Sequence, residues 1–227
     1  MDADLCFGFP KTKWKDLSCK IDDGDQDAWT EAIGVFERRM RERFFSSIDA
    51  LFDADTKPDL ASADSPNKKH CIPGFSIMAL CCLLIETLQS FREEAPHASD
   101  PTGPCTFPDP GPCIKPASGS NQQFRAFLRR PAFGTTFDER TANKFIDGIR
   151  NGIIHDCETR RWVIWRDEPI DKIVATEGDG FAVNRGLFYA AVKLEFESYL
   201  QELRDPANRA LREWFKKKMD DLEKDKR

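Results

Sequence analysis

A mainly α-helical bundle is predicted, carrying a small β-hairpin insertion and a long Pro-rich loop. Three observations point there. Apolar residues recur at three-and-four spacing over long stretches. Runs of β-branched and aromatic residues with an Asp-Gly turn signal fall between 162 and 183. Seven of the fourteen prolines lie within 95–120, a density no helix survives. The 227 residues, 40% hydrophobic with eighteen phenylalanines, suffice to bury a substantial core in one domain spanning 1–227.

Residues 1–26 read as an irregular lead-in, packed on the body through Phe9 and Trp14. The bundle itself spans 28–203. Asp27 is a candidate cap for a helix from Ala28 to about Phe52, whose Ile33, Phe36, Met40, Phe44, Ile48 and Leu51 form a buried stripe. Residues 53–73 are a polar connection. Pro73-Gly74 opens a second helix, 76–94, apolar around most of its circumference as a central helix would be. After the Pro-rich loop 95–120, a short helix runs from Asn121 to Arg130 and stops at Pro131. A further helix covers Asp138 to about Asp156. Trp162–Trp165 reads as a strand, and 173–176 with 181–183 as a hairpin turning at Asp179-Gly180. Asn184 caps a helix to Leu203, and 205–227 holds a terminal charged helix introduced by Asp205-Pro206.

With 34 basic and 39 acidic residues the net charge is −5, so no global positive field draws in nucleic acid. Any RNA contact must come from local patches. The eight cysteines include no C-x-x-C pair, which argues against a zinc site and against a disulfide framework. They are expected to be buried reduced thiols; no metal and no cofactor are expected. Met1-Asp2-Ala3-Asp4 lacks the order of a signal peptide. The apolar run Phe75–Ile85 is stopped by Glu86, short of the roughly 20 residues a bilayer needs. A cytoplasmic protein with no membrane partner is the expectation.

Chemistry concentrates in Arg150-Asn151-Gly152-Ile153-Ile154-His155. A guanidinium binds phosphate through charge and a planar fork of donors. An imidazole exchanges protons near neutrality. The pair suits phosphodiester cleavage without a metal. On a regular α-helix, residues five apart point about 140° away from one another, so Arg150 and His155 cannot share a face. Asn143, Asp147, Asn151 and His155 do share one, opposite the apolar stripe Phe137, Phe145, Ile149 and Ile153. Gly148 and Gly152 each cost roughly 1 kcal/mol against alanine inside a helix. Close approach of a second protomer would give a reason for them, its own Arg and His meeting these.

Arg150-Asn151, the two branched apolar residues before His155, and their place late in the third long helix resemble the HEPN superfamily. The likeness covers 28–203, with the motif as its sharp part. It implies a homodimeric HEPN-like bundle whose Arg150, Asn151 and His155 form the catalytic site of a metal-independent endoribonuclease acting on single-stranded RNA. The resemblance further implies a place in antiviral (phage) defence or as a toxin, with an antitoxin or defence-system partner. In HEPN toxins silenced by nucleotidyl transfer a tyrosine stands two residues past the motif histidine; here that position is Cys157.

Plainer readings stand beside these. A histidine near a helix C-terminus gains about 0.3–1 kcal/mol from the dipole without any catalytic role. Arg92 and His97 repeat the five-residue spacing, but Pro96 lies between them. Arg125, Arg129, Arg130, Arg160 and Arg161 are candidates for an RNA-backbone track, or simply a solvated face. Trp162 and Trp165 could stack bases or pack in the core. The alternative function is a non-enzymatic helical module that binds a partner protein, nucleotide or RNA.

Overall fold

The computed structural model describes residues 4–56, 72–92, 119–166 and 171–224. Most of the Pro-rich loop and of the 53–73 connection lies outside them, as do Cys71, Cys105, Cys113, His70 and His97.

The protein is mainly α-helical, with two small sheets. Strand β1 (Asp4–Cys6) pairs antiparallel with β2 (Phe9–Pro10), and helix α1 (Lys11–Asp22) follows directly. The lead-in therefore forms regular structure where the sequence suggested an irregular segment, while Phe9 and Trp14 are buried as expected. Trp14, Leu17, Ser18 and Ile21 are the buried face of α1, an i, i+3, i+4, i+7 stripe partly masked by the lysines between its members. Helix α2 (Gln26–Met40) continues through a π-helical turn, Arg41–Phe45, into α3 (Ser46–Thr56). Its cap is Asp25 rather than Asp27: the Asp25 carboxylate accepts from the amides of Asp27 and Ala28.

Helix α4 (Ile72–Arg92) is the hub, touching α3 on one side and later elements on the others. Pro73 falls in its first turn, where a missing N–H costs nothing. By length and composition Pro73–Arg92 could cross a membrane, with mean hydropathy 1.6. In this fold it is the central core helix, with Ile77, Met78, Cys81, Cys82, Leu84, Ile85 and Leu88 buried by its neighbours. Apolarity around the circumference is what a hub helix requires.

Helix α5 (Gly119–Leu128) leads to a 3-10 turn at Pro131–Phe133. Helix α6 (Glu139–Phe145), capped by Asp138, runs without a break into an eleven-residue π-helical segment, Ile146–Asp156. Strand β3 (Trp162–Trp165) pairs in parallel with β5 (Gly180–Asn184), which pairs antiparallel with β4 (Val174–Glu177). The hairpin turns on Gly178-Asp179, one residue earlier than Asp179-Gly180. Gly178 takes φ +52°, the positive value a two-residue hairpin loop wants at its first position. Gly180 sits in the strand because a Cβ there would stand 2.2 Å from the Arg161 carbonyl oxygen. Asn184 caps α7 (Arg185–Arg204) through the Leu187 amide, as expected. Helix α8 (Arg209–Lys224) packs on α1 and α4 and buries Phe215 and Met219.

Two aromatic groups anchor the core. Phe36 lies 4.6 Å from Phe91 and 5.4 Å from Phe215, joining α2, α4 and α8. Phe145 lies 5.1 Å from Phe188 and 5.4 Å from Trp162, joining the motif helix to α7 and the sheet. Such pairs add about 0.5–1.5 kcal/mol each beyond area burial. Among the described cysteines, Cys6, Cys81 and Cys82 are buried free thiols, whereas Cys19 and Cys157 are exposed, unlike the expectation of uniform burial.

Candidate functional site

The apolar stripe of the motif helix faces inward as read: Phe145, Ile146, Ile149 and Ile153 are buried. Asp147 and His155 are exposed, and Asn143 and Asn151 are half-buried. The backbone differs from a regular helix in one consequential way. All six motif residues lie in the π-helical segment, whose hydrogen bonds run from i to i+5. That ladder stacks residues five apart, so Arg150 and His155 are closer in azimuth than the α-helical 140° implies. The extra residue per turn is a tertiary outcome that the sequence periodicity does not encode.

The two side chains nonetheless have different environments. Arg150 is 15% exposed and turned toward α4, where its Nε and Nη2 reach Glu86 Oε1 at 2.6 and 2.5 Å. Its Nη1 donates to Asn151 Oδ1 at 2.7 Å. The structure thus brings Arg150 and Asn151 together and adds Glu86, a residue sixty-four positions away. The neighbouring Cys82 thiol is pushed up by burial first, with Cys81 and Glu86 adding to the shift and Arg150 opposing it. His155 points to solvent and makes no hydrogen bond or ion pair among the described residues. The segment closes on Cys157 in the left-handed region, φ 53°, with the Glu158 amide donating to the Gly152 carbonyl.

That closure accounts for both glycines. A Cβ on Gly152 would lie 2.3 Å from the Glu158 carbonyl oxygen, and one on Gly148 would lie 2.3 Å from Trp162 Cδ1. The surface they clear is occupied by the chain's own return from Glu158 to Trp162. The glycines therefore mark an internal approach rather than the packing of a second protomer.

The five candidate backbone-binding arginines separate. Arg130 is an interior staple: its Nε meets Glu195 at 2.6 Å and its Nη2 meets Glu202 at 3.1 Å. The Glu195 side chain is 2% exposed and also accepts from the Ala132 amide, so Arg130 is committed to the fold. Arg125 donates to the Asn121 carbonyl one turn back, and Arg129 is exposed. Arg160 and Arg161 are exposed on the return segment. Arg160 pairs with Asp156, the residue after His155. Arg92, of the second Arg-His spacing, is held by Glu202 and lies over the Tyr199 ring.

Arg160 and Arg161 border a surface pocket of about 220 Å³ between the motif helix and the hairpin. Lys144, Asp147 and Gly148 form its helical wall, and Trp162, Asp179, Gly180 and Phe181 the strand wall. Trp162 and Phe181 are stacked with centroids 5.0 Å apart, and the Lys144 ammonium stands 4.6 Å over the Phe181 ring. Trp162 donates through Nε1 to the Lys144 carbonyl, locking the indole as a floor. Trp162 is buried and Trp165 half-buried, so Trp162 serves core and pocket together. Sequence reading missed Lys144, Asp179 and Phe181 as neighbours because the parallel β3–β5 pairing that assembles them is non-local.

No family model, curated protein or solved structure matches this chain.

Proposed function

We propose that the protein is a metal-independent endoribonuclease of HEPN type, with Arg150, Asn151 and His155 as its catalytic site. The observation that carries this reading is the π-helical segment Ile146–Asp156, in which position 155 lies closer in azimuth to position 150 than in a regular α-helix. Local π-helical insertions are frequent at functional sites. An exposed imidazole on the same helical segment as a guanidinium oriented by a carboxylate has the parts that phosphoryl transfer needs.

In this mechanism His155 takes the proton of the ribose 2′-OH. The 2′-oxygen forms a bond to phosphorus while the bond to the 5′-oxygen breaks. The leaving 5′-oxygen takes a proton from the protonated His155 of a second subunit, giving a 2′,3′-cyclic phosphate and a 5′-hydroxyl. Arg150, held by Glu86, supplies positive charge as the non-bridging oxygens gain negative charge, and Asn151 fixes the guanidinium and meets the phosphate. A homodimer, single-stranded RNA as substrate, and a role in phage defence or as a toxin belong to the same proposal.

One observation favours a second reading. The Arg150–Glu86 pair, largely buried against α4, is also what a structural arginine makes. A non-enzymatic module binding a partner protein, nucleotide or RNA would need no more.

The test incubates wild type, Arg150→Ala and His155→Ala with single-stranded RNA in EDTA, with the matching DNA as control. Cleavage of RNA alone, by the wild type alone, leaving cyclic ends, is expected. Because His155 is exposed, His155→Ala should shift stability by less than about 0.5 kcal/mol, so lost activity reports chemistry. Equal background from all three proteins would remove the ribonuclease and leave the binding module.

A further inference from the structure

We infer that the pocket between the motif helix and the hairpin holds a single unpaired nucleotide, with guanine as its preferred base. The inference rests on the ribonuclease reading in one respect: the nucleotide would be the one flanking the cleaved link.

Three features of the pocket carry it. Its floor is aromatic and fixed, with Trp162 locked by its bond to the Lys144 carbonyl and stacked on Phe181. Phe181, half-buried, is the ring a base would meet; its face carries the Lys144 ammonium, which an entering base displaces toward its own phosphate. Its rim sets Lys144, Arg160 and Arg161 against the carboxylates of Asp147 and Asp179, a small positive excess on a chain of net charge −5. Local charge of that kind selects a phosphate where the global field does not. Arg160 also contacts Asp156, beside His155, so the rim reaches the motif. At about 220 Å³ the pocket is smaller than the roughly 300–1,000 Å³ of sites for drug-sized ligands. One base fits that space, and an oligonucleotide does not.

Base choice follows from Asp147 and Asp179, carboxylates on opposite walls. An ionised carboxylate only accepts hydrogen bonds, with two oxygens side by side. Guanine alone among the four RNA bases presents two adjacent donors on its pairing edge, the ring N–H and the amino group. Adenine and cytosine offer an amino donor beside an acceptor, and uracil offers one ring N–H between two acceptors. Either aspartate therefore matches guanine in a paired, charge-assisted contact.

Isothermal titration of the full chain with 5′-GMP, 5′-AMP, 5′-CMP, 5′-UMP and inorganic phosphate tests this. Saturable GMP binding is expected, with the other nucleotides and phosphate weaker by on the order of tenfold. The Arg160→Gln/Arg161→Gln variant should weaken every nucleotide by a similar factor. Asp147→Asn and Asp179→Asn should be examined singly, and at least one should erase the preference for guanine. Both substitutions fall on exposed side chains, and circular dichroism would verify folding. No saturable binding by folded wild type, or GMP binding indifferent to all these variants, overturns the inference. His155→Ala separates the two proposals, since it should retain GMP binding while losing cleavage. GMP binding by a wild type that cleaves nothing supports the pocket and removes the ribonuclease. Cleavage without GMP binding does the reverse.

Discussion

Glu202 accepts from Arg92 and Arg130 at once, and Glu195 beside it accepts from Arg130 and the Ala132 amide. These side chains tie α4, the turn after α5, and α7 into one ionic cluster. Burial pushes the Glu202 carboxyl upward, but hydrogen bonding and charge from Arg92, with Arg130 adding to them, more than offset it and hold it below the ordinary glutamate range. A carboxylate depressed in the folded state stabilises the protein above its unfolded pKa, about 4.3. That contribution is lost as pH falls through the lower, folded value. The urea midpoint should therefore drop as pH goes from 6 toward 3, and Glu202→Gln should flatten the drop. An identical acid profile for the variant would refute the assignment. None of this cluster was readable as such, since Arg130 looks like any member of an arginine run until Glu195 is placed against it. The same holds at the motif: residue types were legible at 150, 151 and 155, but not the partner Glu86, which only the packing of two helices brings near.

At the level of elements, local pattern predicted what local forces decide. The stripe Ile33, Phe36, Met40 and Ile48 marks the α2–α3 helix correctly, and all four are buried. Asn184 was identified as a cap because one side-chain oxygen satisfying a helical N–H is a short-range matter. Where two residues suit the same role, local pattern does not choose between them: Asp25 caps α2 in place of Asp27, and the hairpin turns on Gly178-Asp179 in place of Asp179-Gly180. Helix α1 carries a four-residue stripe, but the proline and the lysines at its start give it the local composition of a loop. The π-helical segments could not be foreseen. The glycines give the sharpest test at this scale. Gly148→Ala and Gly152→Ala each place a methyl within 2.3 Å of a neighbour, in the second case a backbone oxygen. Each should cost about 1–3 kcal/mol or more by denaturant titration. Gly34→Ala, in α2 with nothing within 4 Å of the new carbon, should instead stabilise by about 0.5–1 kcal/mol. Equal effects at the three sites would mean the return over the motif helix is not packed as described.

Across the molecule, the hub position of α4 determines how the thiols behave. Cys81 and Cys82 are fully buried on it, and burial raises both thiols well above their ordinary value, Lys193 opposing slightly at Cys81. Reaction there requires that the bundle open. Cys19 and Cys157 face solvent. In timed labelling with a maleimide followed by peptide mapping, Cys19 and Cys157 should modify promptly. Cys81 and Cys82 should modify together, at a rate that rises with denaturant as the global opening equilibrium does. Prompt labelling of Cys81 in the native protein would show that α4 is not the central helix. The mainly helical class was legible because apolar residues recur at three-and-four spacing over long stretches. Which helix occupies the middle followed from its all-round apolarity. The order of packing around it did not follow, because long connections impose none.

The contact between α1 and α8 has a bearing on biosynthesis. Trp14 and Ser18 both donate to the Asp220 carboxylate, 206 and 202 positions further along, and Lys216 reaches back to Asp22. A ribosome exposes α1 long before it finishes α8, so the indole of Trp14 must wait in water or with a chaperone until some two hundred more residues emerge. The nascent chain can assemble its middle helices early, yet the clasp that seals them arrives only with the closing codons for this helix.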